Sequence, residues 1–247
     1  MVSLMQRRRE MMQRAASPAV EPNVTITDFT GNGTNSVTVD LGISSPTILV
    51  FYPKQPLVDG TFPNSTTDRL MMIGDSAFNR DFYANTRSGA ASGGYLSMAS
   101  SARAVYSNGN LSFNSSSIVF RNAYAYRCVA IKQAASNVTI TDFTGNGQTS
   151  ITLNIGINNP SYLILYATAP LSSGSFPNAS SQRLLGISDP SLNSTSQFYA
   201  NSRTNTSYGS YFEKSSSKQL YYENGILTVS ASSVLRNNYA YRVIAIA

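Results

Sequence analysis

The hydrophobic positions of this chain alternate with polar ones over short stretches, which is the pattern of half-buried β-strands. Val24-Thr25-Ile26-Thr27-Asp28-Phe29 alternates and then stops at Gly31-Asn32-Gly33, a turn signal. Ser36 to Leu41 alternates again, with Val37, Val39 and Leu41 on one face. Thr47 to Tyr52 includes a short continuous apolar run, which reads as a buried strand. Asn108-Gly109 and Asn224-Gly225 sit between short strands and predict tight hairpins, the first joining Ala104–Tyr106 to Leu111–Phe113. Tyr124, Tyr126, Cys128 and Ala130 share one face of a further strand, with Val129 and Ile131 on the other. No helix is expected between residue 23 and the C-terminal end.

The whole pattern is written twice. Asn23 to Gly33 recurs unchanged at Asn137 to Gly147, and at this offset of 114, residues 23–73 match 137–187 at 27 of 51 positions. After a two-residue insertion the match resumes, pairing Phe82-Tyr83-Ala84-Asn85-Thr86-Arg87 with Phe198-Tyr199-Ala200-Asn201-Ser202-Arg203. Arg121 to Arg127 pairs in the same way with Arg236 to Arg242. A period above 100 residues implies whole domains rather than solenoid units. The expected organisation is an N-terminal segment 1–22, repeat one at 23–135 and repeat two at 136–247. Seven to nine strands are expected per repeat. The fold class expected is all-β: two tandem, homologous, jelly-roll-like β-sandwich domains behind a short helical or extended anchor.

Composition narrows the chemistry. The 247 residues contain no histidine and a single cysteine, and only 12% are charged. This removes Ser-His and Cys-His nucleophile pairs, His-based metal sites and an internal disulfide. Cys128 aligns with Val243 and reads as a small core residue. The net charge of +6 is spread evenly along the chain, which argues against a phosphate-tracking surface and so against nucleic acid as a partner. No apolar run approaches the roughly 20 residues that span a bilayer, and no membrane is expected. The opening residues carry arginines with no apolar stretch after them and do not read as a secretory signal.

Residues 1–16 nevertheless have the makings of an amphipathic helix. Leu4, Met5, Met11 and Met12 lie roughly on one side, with Arg7, Arg8, Arg9 and Arg14 around the rest. Such a segment is near the length threshold for an isolated helix and reads either as an unstructured tail or as an anchor that orders on a partner surface. Elsewhere, the carboxylates matched between repeats are Asp28 with Asp142 and Asp75 with Asp189. Asp28 precedes a Gly-Asn-Gly turn and is expected to hydrogen-bond its own backbone there. The matched clusters Phe82, Tyr83, Asn85, Arg87 and Phe198, Tyr199, Asn201, Arg203 have the chemistry to contact a sugar or protein loop, by stacking plus planar hydrogen bonds; the alternative, preferred on the pattern, is a strand whose aromatics are core and whose arginine covers the rim. No catalytic residue, metal ligand or cofactor is expected.

The order of elements carries a resemblance. Each repeat runs through a strand, a Phe-Thr-Gly-Asn-Gly turn, and a strand ending in Leu-Gly-Ile or Ile-Gly-Ile. A proline, a buried strand and a closing Tyr-x-Tyr-Arg-x-x-Ala-Ile strand follow. This resembles β-sandwich modules in virion accessory proteins of tailed bacteriophages. The resemblance implies a fibre, capsid-decoration or tail-associated role, attachment to capsid or tail proteins by one end, and homo-oligomers, often trimers. It carries over no position-specific binding residues. The function expected is a non-enzymatic virion protein, anchored through residues 1–22 and displaying two modules for host-surface or glycan adhesion. The alternatives are a secreted or cell-surface lectin-like protein and a polysaccharide hydrolase.

Overall fold

The computed structural model describes residues 21–54, 62, 67–86, 94–177, 179–192, 197–202, 210–230 and 232–247. The anchor residues Leu4, Met5, Arg7, Arg8, Arg9, Met11, Met12 and Arg14 lie outside this set, as do Arg87 and Arg203.

The described chain is all-β apart from one short helix and a 3₁₀ turn at Pro190–Leu192. Repeat one supplies β1 (Val24–Thr30), β2 (Ser36–Thr38), β3 (Ile48–Pro53), β4 (Asp68–Asp75) and β5 (Asp81–Thr86). It continues with β6 (Gly94–Ala99), β7 (Ala104–Ser107), β8 (Asn110–Phe113), β9 (Val119–Phe120) and β10 (Ala125–Ile131). Repeat two supplies β11 (Val138–Thr144), β12 (Ser150–Thr152), β13 (Tyr162–Ala167), β14 (Gln182–Ser188) and β15 (Gln197–Ser202). It ends with β16 (Ser210–Ser215), β17 (Leu220–Glu223), β18 (Ile226–Val229), β19 (Val234–Leu235) and β20 (Ala240–Ile246). The helix, α1 (Ala169–Ser173), was not expected; its five residues start at Ala169-Pro170, and Pro is tolerated in a first helical turn. Both Asn-Gly hairpins form, with Asn108 at φ 50° and Gly109 at φ 76°, the left-handed pair that a two-residue hairpin requires.

One large sheet runs through both repeats in the order β1-β10-β3-β4-β5-β6-β16-β15-β14-β13-β20-β11. Its midpoint is the antiparallel pair β6–β16. Each repeat adds a three-stranded sheet, β2-β8-β7 or β12-β18-β17. These small sheets cover one face of the large one: Phe51 of β3 lies 5.7 Å from Phe113 of β8, centroid to centroid.

The other face is covered by the opposite repeat. β3 and β15 are five strand steps apart in the large sheet, and at about 4.8 Å per step a flat sheet would separate them by about 24 Å. Yet the rings of Tyr52 and Phe198 are 6.1 Å apart. The sheet therefore curls back on itself and brings the repeats face to face. This explains why β3 is buried at all six positions: Phe51 turns to the small sheet and Tyr52 to the other repeat. Burying a side chain such as Phe51 contributes about 2–3 kcal/mol, so the doubly covered strands dominate the core.

Candidate functional site

Two groups of polar residues stand out in this apolar interior. The first is a buried arginine in each repeat. Arg69 and Arg183 are fully buried on β4 and β14, each where the pairing with the next strand shifts register. The guanidinium of Arg69 stacks 3.9 Å from the Tyr83 ring, and its Nη1 donates to Asn85 Oδ1 at 2.8 Å. Arg183 stacks 4.5 Å from Tyr199, and its Nη2 donates to Gln219 Oε1, Ser230 Oγ and Ser233 Oγ at 2.8–3.0 Å. Two guanidinium nitrogens of each are enclosed without a hydrogen-bond partner: Nε and Nη2 of Arg69, Nε and Nη1 of Arg183. Burial pushes both arginines down to about 10, which still leaves them cationic at neutral pH.

Strand alternation divides the aromatic clusters read from the sequence. On β5, Tyr83 and Asn85 face Arg69, whereas Phe82 points the other way, fully buried, with its ring 5.8 Å from Phe176 of repeat two. Phe198 is likewise buried, 5.9 Å from Phe62 of repeat one. Tyr199 bonds Glu213 Oε2 through its hydroxyl at 2.7 Å, and Asn201 Nδ2 donates to Ser233 Oγ at 3.0 Å. Within the described residues, then, these clusters are divided between the Arg centres and the contact between repeats.

That contact is the second group. Tyr52 Oη donates to Asp189 Oδ2 at 2.9 Å, and Arg127 Nη1 reaches the same oxygen at 2.9 Å. The mirror contacts are Tyr166 Oη to Asp75 Oδ2 at 2.7 Å and Arg242 Nη1 to Asp75 Oδ2 at 2.6 Å. Each arginine also forks onto a carboxylate of its own repeat: Arg127 Nε and Nη2 onto Asp28 at 2.7 and 2.9 Å, Arg242 Nε and Nη2 onto Asp142 at 2.6 and 2.7 Å. Asp28 does not serve its neighbouring turn, contrary to expectation. Asn32 does, accepting from the Thr34 amide at 3.0 Å, while Asp28 faces Arg127 across the β1–β10 ladder.

The electrostatics follow from these contacts. Burial works against ionised Asp28, but hydrogen bonds from Arg127 and Lys54 outweigh it and hold the carboxyl below its usual range. The hydrogen bonds to Asp28 raise Arg127 above its ordinary value despite burial. Burial, with Asp189 beside it, pushes the Tyr52 phenol well up, so it stays a proton donor. Tyr166 behaves alike against Asp75.

Repeat one contains a further ion pair, its carboxylate buried and its guanidinium partly exposed. Arg103 Nε meets Asp81 Oδ1 at 2.9 Å, and the Ala104 amide donates to Asp81 Oδ2 at 3.1 Å. Repeat two has Gln197 and Gln219 at these positions, where Gln197 Oε1 accepts from the Gln219 and Leu220 amides at 2.7 Å. The ion pair of one copy is thus replaced in the other by a neutral side-chain amide on main-chain N–H groups, with the Gln219 side chain turned to Arg183, Ser215 and Ser217. Cys128 is fully buried and its thiol is pushed up to about 12 by burial, as suits a core residue. Among the described residues no three His, Cys, Asp or Glu side chains gather as a metal site would require, and no helix is long and apolar enough to cross a membrane.

Comparison with protein-family models, with curated proteins and with solved structures returns no match for this chain. Its functional reading therefore rests on its own residues. The joint was half visible in the sequence, since Asp28, Asp142, Asp75 and Asp189 are the matched carboxylates. What sequence alone did not give was that Asp75 and Asp189 each answer to the other repeat.

Proposed function

We propose that this protein is a non-catalytic virion accessory protein of a tailed bacteriophage, of the capsid-decoration, head-fibre or tail-associated kind. Residues 1–22 attach it to capsid or tail proteins, and the two repeats, each a jelly-roll-like β-sandwich, project from the particle for adhesion to the host surface. The observation that carries this reading is the reciprocal joint: Tyr52, Arg127 and Asp189 on one side, Tyr166, Arg242 and Asp75 on the other. It commits the matched carboxylates to holding two modules as one stiff body, which suits display better than turnover. Glu21 ties the start of the described chain to that body through Lys132 and Ser44, so a pull on the preceding segment is transmitted to repeat one.

An open groove of about 440 Å³ supports the adhesive part of the reading. Tyr106, Asn108, Thr38 and Asp40 line it, an aromatic ring beside planar polar groups, which is chemistry suited to a sugar. The Tyr106 hydroxyl is fixed by the Leu41 amide at 3.1 Å and the Val39 carbonyl at 3.2 Å.

The test is sedimentation with particles from the native source, comparing full-length protein with a form lacking residues 1–20, which keeps Glu21. Full-length protein is expected to pellet and the shortened form to stay in the supernatant. Both remaining soluble would contradict particle attachment and favour a free lectin-like protein.

A further inference from the structure

The joint between the repeats has the symmetry of a dimer interface. A pseudo-two-fold axis passes between Tyr95 and Tyr211, whose rings are 4.7 Å apart and whose hydroxyls are 3.2 Å apart. Main-chain pairing is symmetric about them, Gly94 with Phe212 and Leu96 with Ser210. Away from the axis the main contacts occur twice, Tyr52–Asp189 with Tyr166–Asp75 and Phe62–Phe198 with Phe176–Phe82. Each repeat contributes the same patch to the other, which defines an isologous interface.

The repeats are also separable units. Among the described residues, the strand pairing that crosses between them is confined to three register pairs of β6 and β16; every other ladder stays within one repeat. Covalently they are joined by residues 132–137, between β10 and β11. That linker is pinned by a tight turn in which Ala135 and Val138 exchange main-chain hydrogen bonds at 2.8 and 3.2 Å.

We propose that this face also accepts the complementary repeat of a second chain, so that two chains exchange repeats reciprocally: repeat one of each docks on repeat two of the other. All the joint contacts above are then kept with residues of the second chain, and only the linker changes course, giving up the Ala135–Val138 turn. A foreign apolar partner is disfavoured, because it would leave Asp75 and Asp189 buried without their arginines. The linker holds the two faces at an effective concentration in the millimolar range, so dilute chains close on themselves. Chains crowded to comparable concentration exchange.

The test uses two full-length variants, Tyr95→Cys and Tyr211→Cys, unfolded together, refolded at high concentration and oxidised. Directly opposed antiparallel residues have Cα atoms about 4.5–5.5 Å apart, within disulfide reach. Cys128 is buried and does not compete. The expected product is a disulfide-linked dimer joining one chain of each variant. Folded monomers alone would overturn the proposal. Two differently tagged wild-type chains refolded together provide the same test without substitution at the axis. Capture by one tag is expected to retain the other chain, in a species of twice the chain mass, and this is lost when both carry Asp75→Ala and Asp189→Ala. Absence of co-capture from the wild-type mixture would also overturn the proposal, whatever the result with particles.

Discussion

The phenol of Tyr52 donates to the carboxylate of Asp189, 137 residues away, at 2.9 Å inside the joint between repeats. With Arg127 on the same oxygen, the Asp189 carboxylate is buried, paired and hydrogen-bonded, the condition under which a charge is tolerated in an apolar interior.

Removing that carboxylate leaves Arg127 with one carboxylate among the described residues, Asp28, beside the Tyr162 and Ser191 hydroxyls. Asp189→Ala is expected to lose about 3–5 kcal/mol in urea unfolding, and Asp75→Ala a comparable amount. Tyr52→Phe removes one hydrogen bond and leaves an acceptor that Arg127 still satisfies, so it is expected to lose only about 1 kcal/mol. Equal small losses for all three variants would mean that the joint contributes little.

Arg69 predicts the opposite sign. Among the described residues its Nε and Nη2 are buried without partners, while its Nη1 bonds Asn85. Arg69→Met removes that desolvation penalty and keeps the stacked volume against Tyr83. It is expected to match or exceed wild-type stability, since replacing poorly compensated buried charge by apolar groups is neutral or favourable by about 1–4 kcal/mol. A loss above about 3 kcal/mol in urea unfolding would show that the guanidinium holds the fold.

The Asp81–Arg103 pair gives a pH dependence. Burial, against the pull of Arg103, raises the Asp81 carboxyl to about 6, above its ordinary value of 3.8. Between those values the folded state holds more protons than the unfolded one, so this group adds stability as pH falls from 6 towards 4 and withdraws it as pH rises. The shift corresponds to about 3 kcal/mol. The double change Asp81→Gln with Arg103→Gln installs the two neutral residues that repeat two already carries there, Gln197 and Gln219. It is expected to fold and to lose this contribution in melting curves taken across pH 4–7. An unchanged pH profile would rule the assignment out.

Gly31 and Gly145 pass close to backbone that has no freedom to move. A Cβ on Gly31 would sit on the Arg121 carbonyl, and one on Gly145 on that of Arg236. Gly31→Ala and Gly145→Ala are each expected to cost more than 3 kcal/mol or prevent folding, measured by soluble yield and thermal melting. Gly109→Ala meets no neighbouring atom and carries only the strain of its positive φ, so it is expected to cost about 1 kcal/mol.

These glycines show what the sequence makes legible. Phe-Thr-Gly-Asn-Gly recurs unchanged because its close approach tolerates no side chain, and strand alternation and the Asn-Gly hairpins are local signals of the same kind. Paired changes are harder to see. Gly186 admits Leu220, whose side chain fills the space beside it, while repeat one has Met72 and Ala104 at those positions. The larger residue changes strand, and only packing reveals the exchange. The joint depends on the curl of the large sheet, which places β3 against β15. No spacing along the chain encodes that approach, so Phe82 and Phe198, legible as aromatic, were not legible as interior to a contact between repeats.

The most direct test of the joint is scanning calorimetry of the intact protein. Two modules locked by the Tyr52–Asp189 and Tyr166–Asp75 contacts unfold together, giving one transition whose calorimetric and van't Hoff enthalpies agree. Two resolved transitions, or a calorimetric enthalpy near twice the van't Hoff value, would show repeats that unfold independently and would contradict the single body described above.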